Sequence, residues 1–135
     1  MTSTHNILIV DDEAHILQVL SLKLRNCGYS ITTAVDGEDA LHQVKENPPD
    51  LVITDVQMPY MNGLEFALAL SNSSETANIP VIVLTARGHT LETSDTDIPN
   101  VRKVLSKPFS PRGIAELCAQ LLVDVPCRAG KRDVA

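Results

Sequence analysis

The sequence predicts a doubly wound α/β fold, in which helices cover both faces of a five-stranded parallel sheet. Three short runs, 7–10, 51–53 and 81–84, are continuously apolar and rich in Val and Ile, which is typical of strands buried on both faces. Two further runs, 30–35 and 101–105, are more mixed, as edge strands are. Helix-period stretches separate the runs, and this alternation favours right-handed βαβ units around one sheet.

Four stretches carry apolar residues at helical spacing: 13–27, 37–46, 63–71 and a last one that begins at Pro111. Gly28 marks the end of the first stretch. Ser110 is the expected N-cap of the last, because Pro is favoured at the first helical position that follows a cap.

Two segments depart from this alternation of strands and helices. Residues 87–100 should hold a helix between the fourth and fifth strands, but Leu91 and Ile98 are their only strong apolar anchors. Any helix there is expected to be short, irregular or mobile. Residues 124–135 have no periodicity and are expected to form a disordered tail, so the predicted domain spans 1–123.

Composition excludes several classes of protein. The 135 residues are 44% hydrophobic, enough for one domain with a full core, and the net charge of −6 argues against a nucleic-acid partner. No apolar run approaches the roughly 20 residues of a membrane span. The three cysteines form no C-x-x-C pair, which favours a reduced, cytoplasmic setting.

Polar residues stand where the predicted strands end. Asp11 and Asp12 follow the first strand, Asp55 the third, Thr85 the fourth and Lys107 the fifth. The carboxyl ends of parallel strands share one edge of the sheet, and ligands of open α/β sheets bind there.

Three carboxylates at one edge require either that one of them stay protonated or that a cation join them. Two unit charges about 4 Å apart repel by roughly 4 kcal/mol at an effective dielectric constant of 20. Oxygen ligands favour a hard cation, Mg²⁺ or alternatively Mn²⁺. A cation, the Lys107 ammonium and the Thr85 hydroxyl together suit a dianionic phosphoryl group, and a carboxylate can serve as its acceptor.

The motifs at these positions resemble those of two-component response regulator receiver domains, over residues 6–123. The matching segments are 10–13 (VDDE), 36–37 (DG), 55–63 (DVQMPYMNG), 84–86 (LTA) and 107–109 (KPF). The resemblance implies a flavodoxin-like three-layer fold, similar to the chemotaxis receiver, with strand order 2-1-3-4-5.

The resemblance also implies roles for the acidic residues. Asp55 would accept the phosphoryl group. Asp12 would bind Mg²⁺ directly, Asp11 largely through water, and Gln57 through its backbone carbonyl.

Further roles follow from the same resemblance. Thr85 and the Ala86 amide would bind phosphoryl oxygens, and Lys107 would pair with another. The side chains of Gln57 and Arg87 would tune dephosphorylation. The Lys107–Pro108 bond would be cis.

The implied protein is a switch rather than an enzyme, although it assists its own phosphorylation and slow dephosphorylation. Its donor would be a sensor histidine kinase or a histidine phosphotransfer protein, and its downstream protein target is unknown. Since only about a dozen residues follow the predicted domain, we expect a single-domain regulator that signals by conformational change or relay.

Two features depart from the family pattern. Val104 stands where receivers often have a Tyr or Phe that rotates on activation, and 98–100 (IPN) replaces the usual Gly-Ala. We therefore hypothesise that signalling works through ordering of residues 86–100 when Thr85 moves toward the phosphoryl group.

Other interpretations remain open on sequence alone. Asp11 and Asp12 could merely cap the first helix, and Lys107 could be an ordinary solvated lysine. A pseudo-receiver that binds partners without being phosphorylated would carry the same fold. A phosphohydrolase of the haloacid dehalogenase type would use similar groups, but its D-x-D-x-T signature is missing because Gln57 stands two residues after Asp55.

Overall fold

The computed structural model describes residues 4–57, 61–85, 98–107 and 109–123. Its five strands are β1 (Asn6–Val10), β2 (Ser30–Ala34), β3 (Leu51–Asp55), β4 (Val81–Thr85) and β5 (Val101–Ser106). Its helices are α1 (Ala14–Asn26), α2 (Gly37–Glu46), α3 (Gly63–Ser71) and α4 (Pro111–Leu122). All strand pairs are parallel, and the order is β2-β1-β3-β4-β5, which confirms the predicted fold class.

The sheet separates two apolar cores. Side chains of successive strand residues point to opposite faces, so Ile7 and Ile9 of β1 pack in one core while Leu8 and Val10 pack in the other. Helices α1 and α4 cover the first core, and α2 and α3 cover the second. The strands β1, β3 and β4 are buried throughout, as their continuous apolar sequences predict.

The two mixed runs form the sheet edges, as expected. In β2 only Ala34 is buried, and β5 contains no fully buried residue. The pairing of β4 with β5 shifts register between Val81 and Ile82. The exposed Arg102 and Lys103 lie at this shift, and a bulge with charged side chains protects an edge strand from pairing with other chains.

Helix ends follow the local signals in the sequence. Gly28 has φ 99°, and its N–H bonds to the Arg25 carbonyl at 2.9 Å, which is the conformation expected of glycine after a helix. The Ser110 side chain accepts a hydrogen bond from the Gly113 N–H at 3.1 Å. Both the predicted stop of α1 and the predicted cap of α4 are therefore confirmed.

Four strands extend further than the apolar runs that predicted them, whereas β2 ends at Ala34, one residue before the end of the run 30–35. Asp55 and Thr85 are the last residues of β3 and β4 rather than the residues after them, and β5 continues through Ser106. The ladder includes these polar residues because backbone pairing, unlike burial of side chains, does not depend on residue type.

Some predictions lie outside the described residues. The helix expected within 87–100 falls almost entirely in 86–97, and the tail 124–135 is also outside. Among the helices described, none has the length and apolarity needed to cross a membrane.

Candidate functional site

Four carboxylates converge where β1 and β3 end, side by side in the sheet. Asp11, Asp12 and Glu13 follow β1, and Asp55 closes β3. One ligand oxygen from each lies within 4.8 Å of the others. Asp11 and Asp55 are buried, whereas Asp12 and Glu13 are exposed. The sequence predicted three members of this cluster but not Glu13, although its position next to the Asp pair was a usable signal.

Lys107 connects the carboxylates. Its Nζ lies 3.3 Å from Asp11 Oδ2, 3.4 Å from Asp55 Oδ2 and 3.2 Å from Glu13 Oε1. The lysine side chain is only 18% exposed, so it is not an ordinary solvated lysine. The loop after β5 therefore brings a positive charge to acidic groups that lie 52 and 96 residues away in sequence.

The electrostatics of the buried pair indicate unrelieved negative charge. Burial raises the pKa of the Asp11 carboxyl, and the nearby Asp55 charge adds to that rise. Burial also raises the pKa of Asp55, although Lys107 opposes it. Burial alone would lower the pKa of Lys107, but the charges of Asp11 and Asp55 outweigh it and the pKa is raised. One ammonium does not compensate this many acidic groups.

The cluster therefore has the properties of a divalent cation site. Its donors are all carboxylate oxygens, which suit Mg²⁺ or Mn²⁺ and not a soft metal. Buried carboxylates with raised pKa values are stabilised by a cation between them. Asp12, exposed at the opening, completes a set of oxygen ligands with Asp11 and Asp55.

Thr85 lies at the same edge, on the strand next to Asp55. Its side chain is buried, and its hydroxyl is 3.5 Å from the Leu105 carbonyl oxygen. The Lys107 N–H bonds to the Thr85 carbonyl at 2.8 Å, so the chain carrying the lysine is attached directly to the end of β4. The weak hydroxyl contact leaves Thr85 free to take a better acceptor.

The start of α3 packs directly behind Asp55. A Cβ placed on Gly63 would lie 2.1 Å from the Asp55 carbonyl oxygen, so only glycine allows this approach. The Gly63 N–H bonds to the Val56 carbonyl at 3.0 Å. Asn62 and Glu65 form a reciprocal capping box that sets where α3 begins. Close packing and capping together hold the end of β3 in place.

The helix-capping interpretation of Asp11 and Asp12 is not sufficient. Asp11 Oδ1 accepts a hydrogen bond from the Glu13 N–H at 2.9 Å, but its other oxygen faces Lys107. The N-cap residue of α1 is Glu13, and it makes no side-chain capping bond. The backbone thus orients the Asp11 carboxylate through one oxygen, and the other oxygen contacts Lys107 within the acidic cluster.

The structure describes only some of the remaining predicted site residues. Gln57 is exposed just after Asp55, and Val104 is partly buried against the core under α2 and α3. Ala86, Arg87 and Pro108 lie outside the described residues.

A doubly wound sheet of order 2-1-3-4-5 with an acidic cluster and a lysine at its carboxyl edge is the arrangement that the motifs of receiver domains imply. Residues 7–119 match the response regulator receiver domain family, and the chain belongs to that family. It is a receiver domain of a two-component response regulator. Receiver domains are signalling switches rather than classical enzymes, and they typically bind Mg²⁺ at an acidic pocket.

Similar proteins include both regulators and isolated receivers. The chain is 35% identical over 127 residues to a probable transcriptional regulator ycf27 of Cyanidium caldarium, covering 94% of this chain and 50% of the relative. It is 36% identical over 119 residues to the phosphate regulon transcriptional regulatory protein PhoB of Pseudomonas aeruginosa, covering 85% and 49%. The chain thus spans about half the length of these relatives.

A solved structure of the chemotaxis response regulator CheY4 of Vibrio cholerae has the same fold. It superimposes with a TM-score of 0.81 at 31% identity, covering 89% of this chain and 100% of that one.

Proposed function

We propose that this receiver accepts a phosphoryl group on Asp55 in a Mg²⁺-dependent reaction. The observation that carries the proposal is the contact of Lys107 with both Asp55 and Asp11 inside one acidic cluster. Buried carboxylates that share one ammonium are poor structural elements, because their desolvation costs more than apolar packing would. Their arrangement is explained by a ligand that brings a cation and an anion together.

In this proposal, Asp55, Lys107 and Thr85 each have a role in phosphoryl transfer. An oxygen of Asp55 attacks phosphorus, a bond from oxygen to phosphorus forms, and the bond from phosphorus to the donor breaks. Lys107 pairs with a phosphoryl oxygen, and the Thr85 hydroxyl donates to another. Transfer of this kind depends mainly on positioning and charge stabilisation, which the strand ends and α3 provide.

Mg²⁺ would be held by Asp11, Asp12 and Asp55, with the Gln57 carbonyl as a further ligand. When bound, the cation neutralises charge on the phosphoryl oxygens. The Ala86 amide as a phosphoryl ligand, and Gln57 and Arg87 as tuning residues, remain predictions from the family resemblance.

The phosphoryl donor and the signalling output of this receiver are inferred from the family to which it belongs. Receiver domains interact with histidine kinases, and we infer that a phosphohistidine of a kinase or phosphotransfer protein supplies the phosphoryl group here. The relatives named as transcriptional regulators are about twice as long as this chain. Transcriptional regulation belongs to those longer proteins, and we infer that this receiver signals to a downstream protein by conformational change or relay.

Intact-mass spectrometry tests the chemistry. Wild-type protein incubated with acetyl phosphate and Mg²⁺ should gain the mass of one phosphoryl group, and acetate should be released. Asp55→Asn should gain none, whereas Asp39→Asn, the same change in the first turn of α2, should react like wild type. Chelation of Mg²⁺ should abolish the gain. Modification of Asp55→Asn to the wild-type extent, or no modification of wild type, would contradict the proposal.

A further inference from the structure

Glu13 makes the shortest of the three carboxylate contacts to Lys107. Its Oε1 lies 3.2 Å from the lysine Nζ, compared with 3.3 Å for Asp11 and 3.4 Å for Asp55. The Glu13 side chain is 48% exposed, whereas those of Asp11 and Asp55 are 1% and 6% exposed. The lysine is thus held from inside by two buried carboxylates and from outside by one that reaches water.

The local backbone leaves the Glu13 carboxylate available for this contact. Glu13 is the N-cap of α1, with an extended backbone at φ −93° and ψ 112°, and its side chain makes no capping bond. The other carboxylate oxygen lies 3.7 Å from His15 Nε2, and this histidine is itself exposed. The helix therefore positions Glu13 without using its charge.

The hydrogen-bonding capacity of the ammonium sets up a competition. A lysine ammonium has three N–H donors, and its three carboxylate contacts match that number. A phosphoryl oxygen that binds Lys107 must therefore displace one contact. Asp11 and Asp55 are buried, so their carboxylates cannot exchange the ammonium for water, whether or not a cation also lies between them. Glu13 can turn into water at much lower cost.

We propose that Glu13 is a positioning residue that holds Lys107 at the mouth of the site and competes with the incoming phosphoryl group for its ammonium. The inference rests on the proposed function of Asp55. Its consequence is that Glu13 slows phosphorylation, both by occupying a donor of Lys107 and by repelling the approaching dianion.

A direct metal-ligand role for Glu13 makes the opposite prediction. Its oxygen belongs to the acidic cluster that would hold the cation. If Glu13 bound Mg²⁺, its removal would weaken Mg²⁺ binding and slow phosphorylation. The direction of the rate change separates the two roles.

The test compares Glu13→Gln with a charge-matched control, Glu46→Gln. Glu46 is exposed at the C-terminal end of α2. Among the residues that the structure describes, its ion-pair partner is the exposed His42. At saturating Mg²⁺, phosphorylation by acetyl phosphate is followed by intact mass. Because exposed ion pairs are weak, Glu13→Gln should react roughly two- to fivefold faster than wild type. Glu46→Gln should react at the wild-type rate.

A second measurement isolates the mechanism. Titration calorimetry with Mg²⁺ alone should give dissociation constants for wild type and Glu13→Gln that agree within about threefold, since only a general charge effect remains. A merely structural role would move the melting temperature but not the rate at saturating Mg²⁺. A rate at or below that of wild type, or a larger loss of Mg²⁺ affinity, overturns the proposal.

The outcomes also separate this inference from the proposed function. If wild type and Glu46→Gln gain a phosphoryl group on Asp55 while Glu13→Gln is no faster, only the role of Glu13 fails. If wild type itself gains none, the phosphoacceptor assignment fails.

Discussion

At the scale of single residues, Lys107 shows how this site differs from a structural ion pair. It touches three carboxylates, two of them buried. Burial raises the pKa of both Asp11 and Asp55 even though the ammonium is close. The protein therefore keeps acidic groups where they cost stability, and the cost is explained by what the site binds.

Replacing Asp55 by Asn should stabilise the metal-free protein. The amide has nearly the same volume but no charge, so it removes a buried carboxylate beside Asp11. Because the pKa of Asp55 is raised in the folded protein, its charged form opposes folding near neutral pH, and the neutral amide should raise the free energy of unfolding by on the order of 1 kcal/mol. Urea unfolding in the presence of a chelator, followed by circular dichroism, measures the free energy of unfolding.

Asp50→Asn is the control for that measurement. Asp50 is also buried, but its Oδ2 accepts a hydrogen bond from the Asn6 N–H at 2.8 Å. Weakening a charge-assisted bond should lower stability, by about 1 kcal/mol. If both variants were destabilised to the same extent, the view that the Asp55 charge opposes folding would be wrong.

At the scale of elements, the start of α3 determines where Asp55, the proposed phosphoacceptor, lies. Gly63 allows the helix to approach the backbone of Asp55, and the Asn62–Glu65 capping box fixes the first turn. The Thr54 hydroxyl donates to the Asp55 carbonyl at 3.0 Å, which completes the contacts at this point. The element thus acts as a support behind the site and contributes no reactive group of its own.

Gly63→Ala and Gly113→Ala should have opposite effects. The new Cβ at Gly63 would overlap the Asp55 carbonyl oxygen at 2.1 Å, so the helix must shift; we expect a loss of about 2 kcal/mol or more and slower phosphorylation. At Gly113, in the first turn of α4, the nearest atom is Ser110 Cβ at 3.5 Å. Alanine there should raise stability by about 0.5–1 kcal/mol.

Thermal unfolding gives the stability of each variant, and the rate of phosphorylation by acetyl phosphate shows whether its site still functions. Equal stability of the two would show that the close approach of α3 to β3 does not constrain the site.

At the scale of the whole molecule, stability comes from two aliphatic cores on either side of the sheet. Among the residues that the structure describes, Phe66 of α3 is the largest fully buried side chain, and it lies in the core beneath α2 and α3. The chain has only two Phe and no Trp, so few side chains offer comparable buried area. Removal of the Phe66 ring should therefore lower the stability of the whole domain.

Phe66→Ala should cost about 3–5 kcal/mol, the usual range for truncating a buried aromatic residue. Domains of this size have total stabilities of about 5–15 kcal/mol, so the variant should be near the limit of folding. Phe66→Leu, which retains most of the volume, should lose far less. Equilibrium denaturation of the two variants gives the difference, and equal losses would contradict the importance of the ring.

Much of this architecture could be predicted from local patterns. The continuous apolar runs indicated the three central strands, and the mixed runs indicated the edges. Gly28, Ser110 and Pro111 marked helix ends because capping depends on a few neighbouring residues. Asp11, Asp12, Asp55, Thr85 and Lys107 could be placed at one edge, since every parallel strand ends on the same side.

The sequence by itself determined the fold class, the strand order through family resemblance, and a set of candidate residues at one edge of the sheet. The tertiary structure decided which side chains touch. Lys107 reaches Asp11, Asp55 and also Glu13, which the sequence did not single out, and Gly63 lies against the backbone of Asp55. Periodicity reports which way a side chain faces within its own strand or helix. Distances between side chains on different elements depend on how the sheet twists and how each loop closes, and these are properties of the packed chain.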